Sequence, residues 1–224
     1  MQPTTTPQQV YSNLNQNPTI LSIYNQIEQR ETNGGGWAFH NYEHVKNVSN
    51  IAEKILMDMN FDEETIYKCR IACLLHDIGA VEGKEGHAER SYEYAKQLFQ
   101  NNNWIFEGYE DVLDAIKNHS AGFNSNNIIT LSIILADKLD IKKTRISEEG
   151  KKVVGNRQYG HIEDIDISIQ SQTLTINFIT DGNMDIQEAN EYYFTAKVFK
   201  AIEAFSNKLE LKYIILLDSK SWKI

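Results

Sequence analysis

Residues 65–79, TIYKCRIACLLHDIG, decide the reading of this 224-residue chain. The whole segment reads as a helix that is apolar on most faces, which predicts a central element surrounded by others. It ends on His76 and Asp77, whose polar heads are expensive to bury without partners. Those partners must come from elsewhere in the chain. Cys69 and Cys73, the only cysteines, lie inside the same run and read as reduced core residues.

Upstream, Val45, Val48, Ala52, Ile55 and Met59 recur every three or four residues, the spacing of a helix over 42–59. Another helix runs from Pro18 to Glu31, and the NGGG at 33–36 that ends it reads as a flexible hinge. Downstream, helices are expected at 87–100, about 108–119 and 128–144. The period then changes. In IDISIQSQTLTINFI, residues 165–179, apolar side chains alternate around a turn-like QSQ, the mark of a β-hairpin. A long helix near 187–209 and a strand over 212–218 follow. The expected fold is mainly α: a helical bundle with a small C-terminal ββαβ (α+β) module. Its parts are an N-terminal helical segment and hinge (1–36), a helical domain (37–150) and the α+β module (151–224). GNRQYGH at 155–161 reads as a linker.

The net charge of −9 argues against a nucleic-acid polymer as partner. No run approaches the roughly 18 apolar residues of a membrane span, and the polar start lacks the layout of a secretion signal. A cytoplasmic protein that does not bind membranes is expected. An exposed strand edge in the C-terminal module offers a route to a homodimer.

The chain has six histidines, and four of them fall on inward stripes. His44 shares a face with Val48, Ile51 and Ile55. His87 is in phase with Ser91, Ala95 and Leu98, and His119 follows Val112 and Ile116. His76 and Asp77 end the central helix, and Asp137 lies between Ile133 and Ile141 at steps of four. Each histidine alone reads as well as a satisfied core residue. Inward carboxylates and imidazoles arriving from separate helices are also what a divalent metal requires.

Taken in order, a histidine at a helix start, LLHDIGA (74–80), KNHSAG (117–122) and IILADKLD (133–140) resemble the HD superfamily of metal-dependent phosphohydrolases. The resemblance covers about residues 38–145. The additional His87 and His119 make the chain similar to the bacterial dinucleoside-tetraphosphatase-like group. It implies two divalent ions, iron or manganese before magnesium, nickel, cobalt or zinc. His44, His76, Asp77 and Asp137 would hold one ion, and His87 and His119 the other, with Asp77 bridging and central to catalysis. FHNYEH (39–44) resembles a segment of the cyclic-nucleotide phosphodiesterases, which implies His40 as general acid. Ala80 stands where many relatives carry lysine.

The expected function is therefore two-metal hydrolysis of a nucleotide, or a related small phosphate ester or anhydride, by metal-activated hydroxide. Lys84, Lys138 and Arg145 are the candidate phosphate contacts. Two alternatives stay open: a metal-containing nucleotide sensor without turnover, and a di-iron HD oxygenase.

Overall fold

The computed structural model describes residues 5–224. The chain divides into two compact units, residues 1–29 with 40–137, and 30–39 with 138–224. The divisions thus fall at 29/30, 39/40 and 137/138, where the sequence pattern suggested 36/37 and 150/151.

The first unit is helical. Helices α1 (Pro7–Asn15), α2 (Pro18–Gly34), α3 (Tyr42–Asp58), α4 (Glu63–Leu75), α5 (His87–Asn102), α6 (Tyr109–Asn118) and α7 (Ile128–Leu139) follow in order, the last residues of α2 and α7 passing into the second unit. Helix α1 had no forecast in the apolar pattern, yet Thr6 and Gln9 close a reciprocal capping box at its start and Val10 and Leu14 are fully buried. Helix α4 is the central element. It packs against α1, α3 and α6, with Cys69, Ile71, Ala72, Cys73, Leu74 and Leu75 all buried, and both cysteines are free thiols. Asp62 caps its start by accepting from the Thr65 amide, and Asn41 does the same for α3 through the His44 amide.

The helix expected over 128–144 stops at Leu139 and gives way to a 3₁₀ turn at Lys143–Arg145. Within the second unit the Arg145 guanidinium donates to the Asp140 carbonyl, satisfying main chain that a continuing helix would have used.

The second unit carries a four-stranded sheet in the order β1-β2-β3-β4: Ile162–Gln170, Thr173–Thr180, Lys212–Leu217 and Lys220–Ser221. β1 and β2 form the expected hairpin. Its two turn residues, Ser171 and Gln172, both have positive φ, which suits the right-handed strand twist. β2 and β3 pair in parallel, and the crossover between them is helical.

That crossover is not one helix. α8 (Ile186–Glu191) and α9 (Tyr193–Lys208) break at Tyr192, which is extended at ψ 125°. Gly155 packs at the break: a Cβ there would stand 2.5 Å from that of Tyr192, so the tyrosine fits only against a bare α-carbon. The 155–161 stretch is likewise no linker. It forms a 3₁₀ helix (Asn156–His161) with Asn156, Gln158 and Tyr159 buried, and Tyr159 shares a hydrogen bond with Thr195. The glycines at 34–36 are also held, since Gly36 donates to the Glu31 carbonyl and accepts from the Ser147 hydroxyl.

Candidate metal centre

Five elements of the first unit deliver the six candidate ligands. His44 lies in the first turn of α3, His76 caps the C-terminus of α4, and Asp77 follows it directly. His87 opens α5, His119 caps α6, and Asp137 lies near the end of α7. His44, His76, Asp77, His119 and Asp137 are buried and His87 partly so.

Asp77 stands at the middle. Its Oδ2 lies 3.0 Å from His76 Nε2 and 3.4 Å from His44 Nε2. Its Oδ1 lies 3.1 Å from His87 Nε2 and 3.5 Å from His119 Nε2. One carboxylate therefore turns one oxygen to each histidine pair. Asp137 joins the first pair, its Oδ1 at 3.3 Å from His44 Nε2 and 4.0 Å from His76 Nε2. Two groups result with ligand atoms converging closely enough for an ion: His44–His76–Asp77 and Asp77–His87–His119.

The protonation pattern tests whether a cation fits. His76 Nδ1 lies 2.8 Å from the Cys73 carbonyl, His119 Nδ1 2.8 Å from that of Ile116, and His87 Nδ1 2.6 Å from that of Lys84. A carbonyl only accepts, so each Nδ1 carries a proton, which leaves Nε2 as the atom that a neutral ring offers to an ion. Yet the Nε2 atoms of His87 and His119 face each other at 2.9 Å, which two lone pairs cannot do without a proton or metal ion between them. His76 Nε2 and Asp77 Oδ2 are fully buried and form no hydrogen bond among the described residues. Orphaned buried polar atoms of this kind are costly, and an ion coordinated by both would offset that cost. The donor set, imidazole with carboxylate, is that of zinc, iron, manganese and related ions.

The electrostatics agree. Burial pushes the Asp77 carboxyl up, but His76, His40, His119 and His44 together hold the group well below the usual carboxylate range, so it stays ionised. Burial lowers His119, which favours the neutral ligand form. Burial also acts to lower His87, but the hydrogen bond to Asp77 overcomes it, and the net shift is upward.

Around the ligands, the loop 78–86 is fastened by residues whose roles the sequence pattern did not assign. Ser91 Oγ accepts from the Gly79 amide, and the Arg90 guanidinium donates to the carbonyls of Gly79, Gly83 and Glu85. Arg90 is therefore a loop staple. Gly79 is glycine for lack of room: a Cβ there would lie 2.5 Å from the His87 carbonyl oxygen and 2.6 Å from the Ser91 amide nitrogen. The glycine two residues after a polar helix end was the signal for this close approach.

Of the other candidates, His40 is buried in the first unit, its ring edge-on to His44 at 5.9 Å. Lys84 is exposed on the loop before α5. Lys138 and Arg145 belong to the second unit, where Lys138 is buried with its ammonium 5.7 Å from the Phe194 ring centre. Two Arg145 donors already serve the Asp140 and Phe39 carbonyls. A polar surface hollow of about 730 Å³, lined in part by Gln8, Ser12, Asn102 and Trp104, holds none of these ligands.

The fold and the site together define a helical domain built around a His-Asp doublet, with two His/Asp groups that could hold a metal ion. Residues 41–142 match the family model of the HD domain. That span includes all six candidate ligands and stops one residue short of His40. Among solved structures, the chain is similar to a predicted HD superfamily hydrolase from an uncultured Thermotogales bacterium. Identity is 23%, with 60% of this chain and 80% of that one covered, at a TM-score of 0.43. No curated protein matches the chain. No helix among the described residues is long and apolar enough to cross a membrane.

Proposed function

We propose that the chain is a metal-dependent phosphohydrolase with a dinuclear centre, acting on a nucleotide or a related small phosphate ester or anhydride. The observation that carries this reading is the carboxylate of Asp77, which turns Oδ2 to the His44–His76 pair and Oδ1 to the His87–His119 pair. His44, His76, Asp77 and Asp137 would hold one divalent ion, and Asp77, His87 and His119 the second. Iron or manganese suits the set, with magnesium, nickel, cobalt and zinc as alternatives. Bound ions would acidify water for attack and neutralise charge on the phosphoryl group.

The chain's own residues supply the rest. Asp77, kept ionised, balances the positive charge of the centre. The main-chain carbonyls of Cys73, Lys84 and Ile116 keep three imidazoles in the tautomer that offers Nε2. His40, beside His44, would donate a proton from its ring to the departing oxygen. Lys84, on its exposed loop, would contact the phosphate, with Lys138 and Arg145 as further candidates.

The test is elemental analysis of protein purified anaerobically and reconstituted with iron or manganese, followed by a phosphate-release screen. The expected content is about two ions per chain, falling to about one in His87→Ala. Asp77→Ala is expected to retain no ion and to release no phosphate. Ion uptake without phosphate release from any nucleotide or phosphate ester would instead favour a sensor, and O₂-dependent turnover an oxygenase.

A further inference from the structure

The matched HD region begins at residue 41, yet two side chains of the preceding α2 reach the elements that carry the first ligand group. Tyr24 is fully buried, and its hydroxyl donates to the Leu74 carbonyl at 2.7 Å. The last four carbonyls of a helix lack partners within it. In α4 the Cys73 carbonyl is taken by His76 and the Leu74 carbonyl by Tyr24, so the tyrosine fastens the end from which His76 and Asp77 emerge. One helical turn later, Glu28 accepts from Asn41 Nδ2 at 2.9 Å, while Asn41 Oδ1 accepts from the His44 amide at 3.0 Å.

That second chain of bonds has a direction. A carboxylate only accepts, so Glu28 holds the Asn41 amide with its nitrogen toward α2 and its oxygen toward the His44 N–H. Turned the other way, the side chain would present a donor to a donor and the cap on α3 would be lost. Tyr42, the first residue of α3, adds a third tie by donating to the Asn15 carbonyl just ahead of α2.

We infer that Tyr24 and Glu28, four residues apart on α2, are positioning residues for the metal centre. Together they fix the start of α3 against the end of α4, and so set His44 at the distance from His76 and Asp77 that an ion requires. This rests on the metal-centre reading above. It extends that reading by making the N-terminal helices part of the site's support.

The experiment is titration of metal-free protein with Co²⁺, followed by visible absorption, alongside thermal unfolding of the same metal-free samples. Tyr24→Phe keeps the ring and removes only the hydroxyl. Glu28→Ala removes the acceptor, whereas Glu28→Gln keeps one. Tyr24→Phe and Glu28→Ala are expected to weaken Co²⁺ binding by about 10- to 100-fold, the usual cost of losing support behind a ligand. Glu28→Gln should remain within about threefold of the parent chain, and the metal-free unfolding temperatures of the two Glu28 variants should coincide. Parent-like Co²⁺ affinity in Tyr24→Phe and Glu28→Ala would overturn the inference. So would equal weakening in Glu28→Ala and Glu28→Gln, or weakening that merely follows a loss of metal-free stability. A parent chain that takes up no Co²⁺ would overturn the metal-centre reading itself.

Discussion

His87 is the candidate ligand at which proton and metal would compete most directly. It is only partly buried, unlike His119 beside it, and Asp77 lifts its protonation above the ordinary histidine value of 6.5. Below that raised value the ring holds a proton where an ion would have to bind; above it the lone pair is available. Metal affinity is therefore expected to rise with pH and to reach its plateau only above the ordinary histidine value, once His87 is neutral. Calorimetric titration with Mn²⁺ at several pH values checks this. The dependence should weaken in His87→Ala, where the surviving group lacks that proton. The histidines themselves were readable from the sequence because an imidazole on an apolar stripe is conspicuous. The division of labour between the Asp77 oxygens was not, since it depends on the side-chain torsion of one residue placed among five elements.

At the scale of elements, the close approach of α5 to the 78–82 turn rests on Gly79. Replacing it with alanine would force a methyl group onto main-chain atoms of His87 and Ser91 that cannot swing aside. The expected cost is about 3 kcal/mol of stability, read from urea unfolding of the metal-free protein. His87 should move with α5, so retained metal should fall as well. Helices α3, α5 and α6 were legible within a residue or two because each keeps its apolar spacing to the end, whereas the helix expected over 65–79 is Glu63–Leu75 and gives way to a 3₁₀ turn at Ile78–Glu82. The breaks were not. At Tyr192 the helical pattern runs on unbroken, yet the chain turns extended there, packed against the bare α-carbon of a glycine 37 positions earlier. Similarly, 155–161 looked like a linker because its buried groups are polar: Gln158 accepts from the Asp185 amide, and Tyr159 pairs with Thr195. Composition alone does not reveal such pairings.

For the whole molecule, all six candidate ligands belong to one compact unit and none to the other. An ion that binds only the folded form stabilises that form, by about 2.7 kcal/mol when free metal is 100 times its dissociation constant. Chelation should therefore raise amide hydrogen exchange in α4 and α6, whose ends carry His76, Asp77 and His119. Exchange in β1, β2 and β3 should stay unchanged. Mass-spectrometric exchange with and without chelator distinguishes this from uniform loosening of the chain.

The carbonyls that lock His76, His87 and His119 belong to the main chain. In metal centres oriented by carboxylate side chains, one base change can strip a ligand of its support. Here that route is closed for three ligands, because every amino acid brings the same carbonyl with it. Residues 73, 84 and 116 can drift in identity while the imidazoles keep their aim, provided the local backbone path survives. Evolutionary retuning at these three positions would then have to proceed through the imidazoles themselves, or through the path of the chain that presents them.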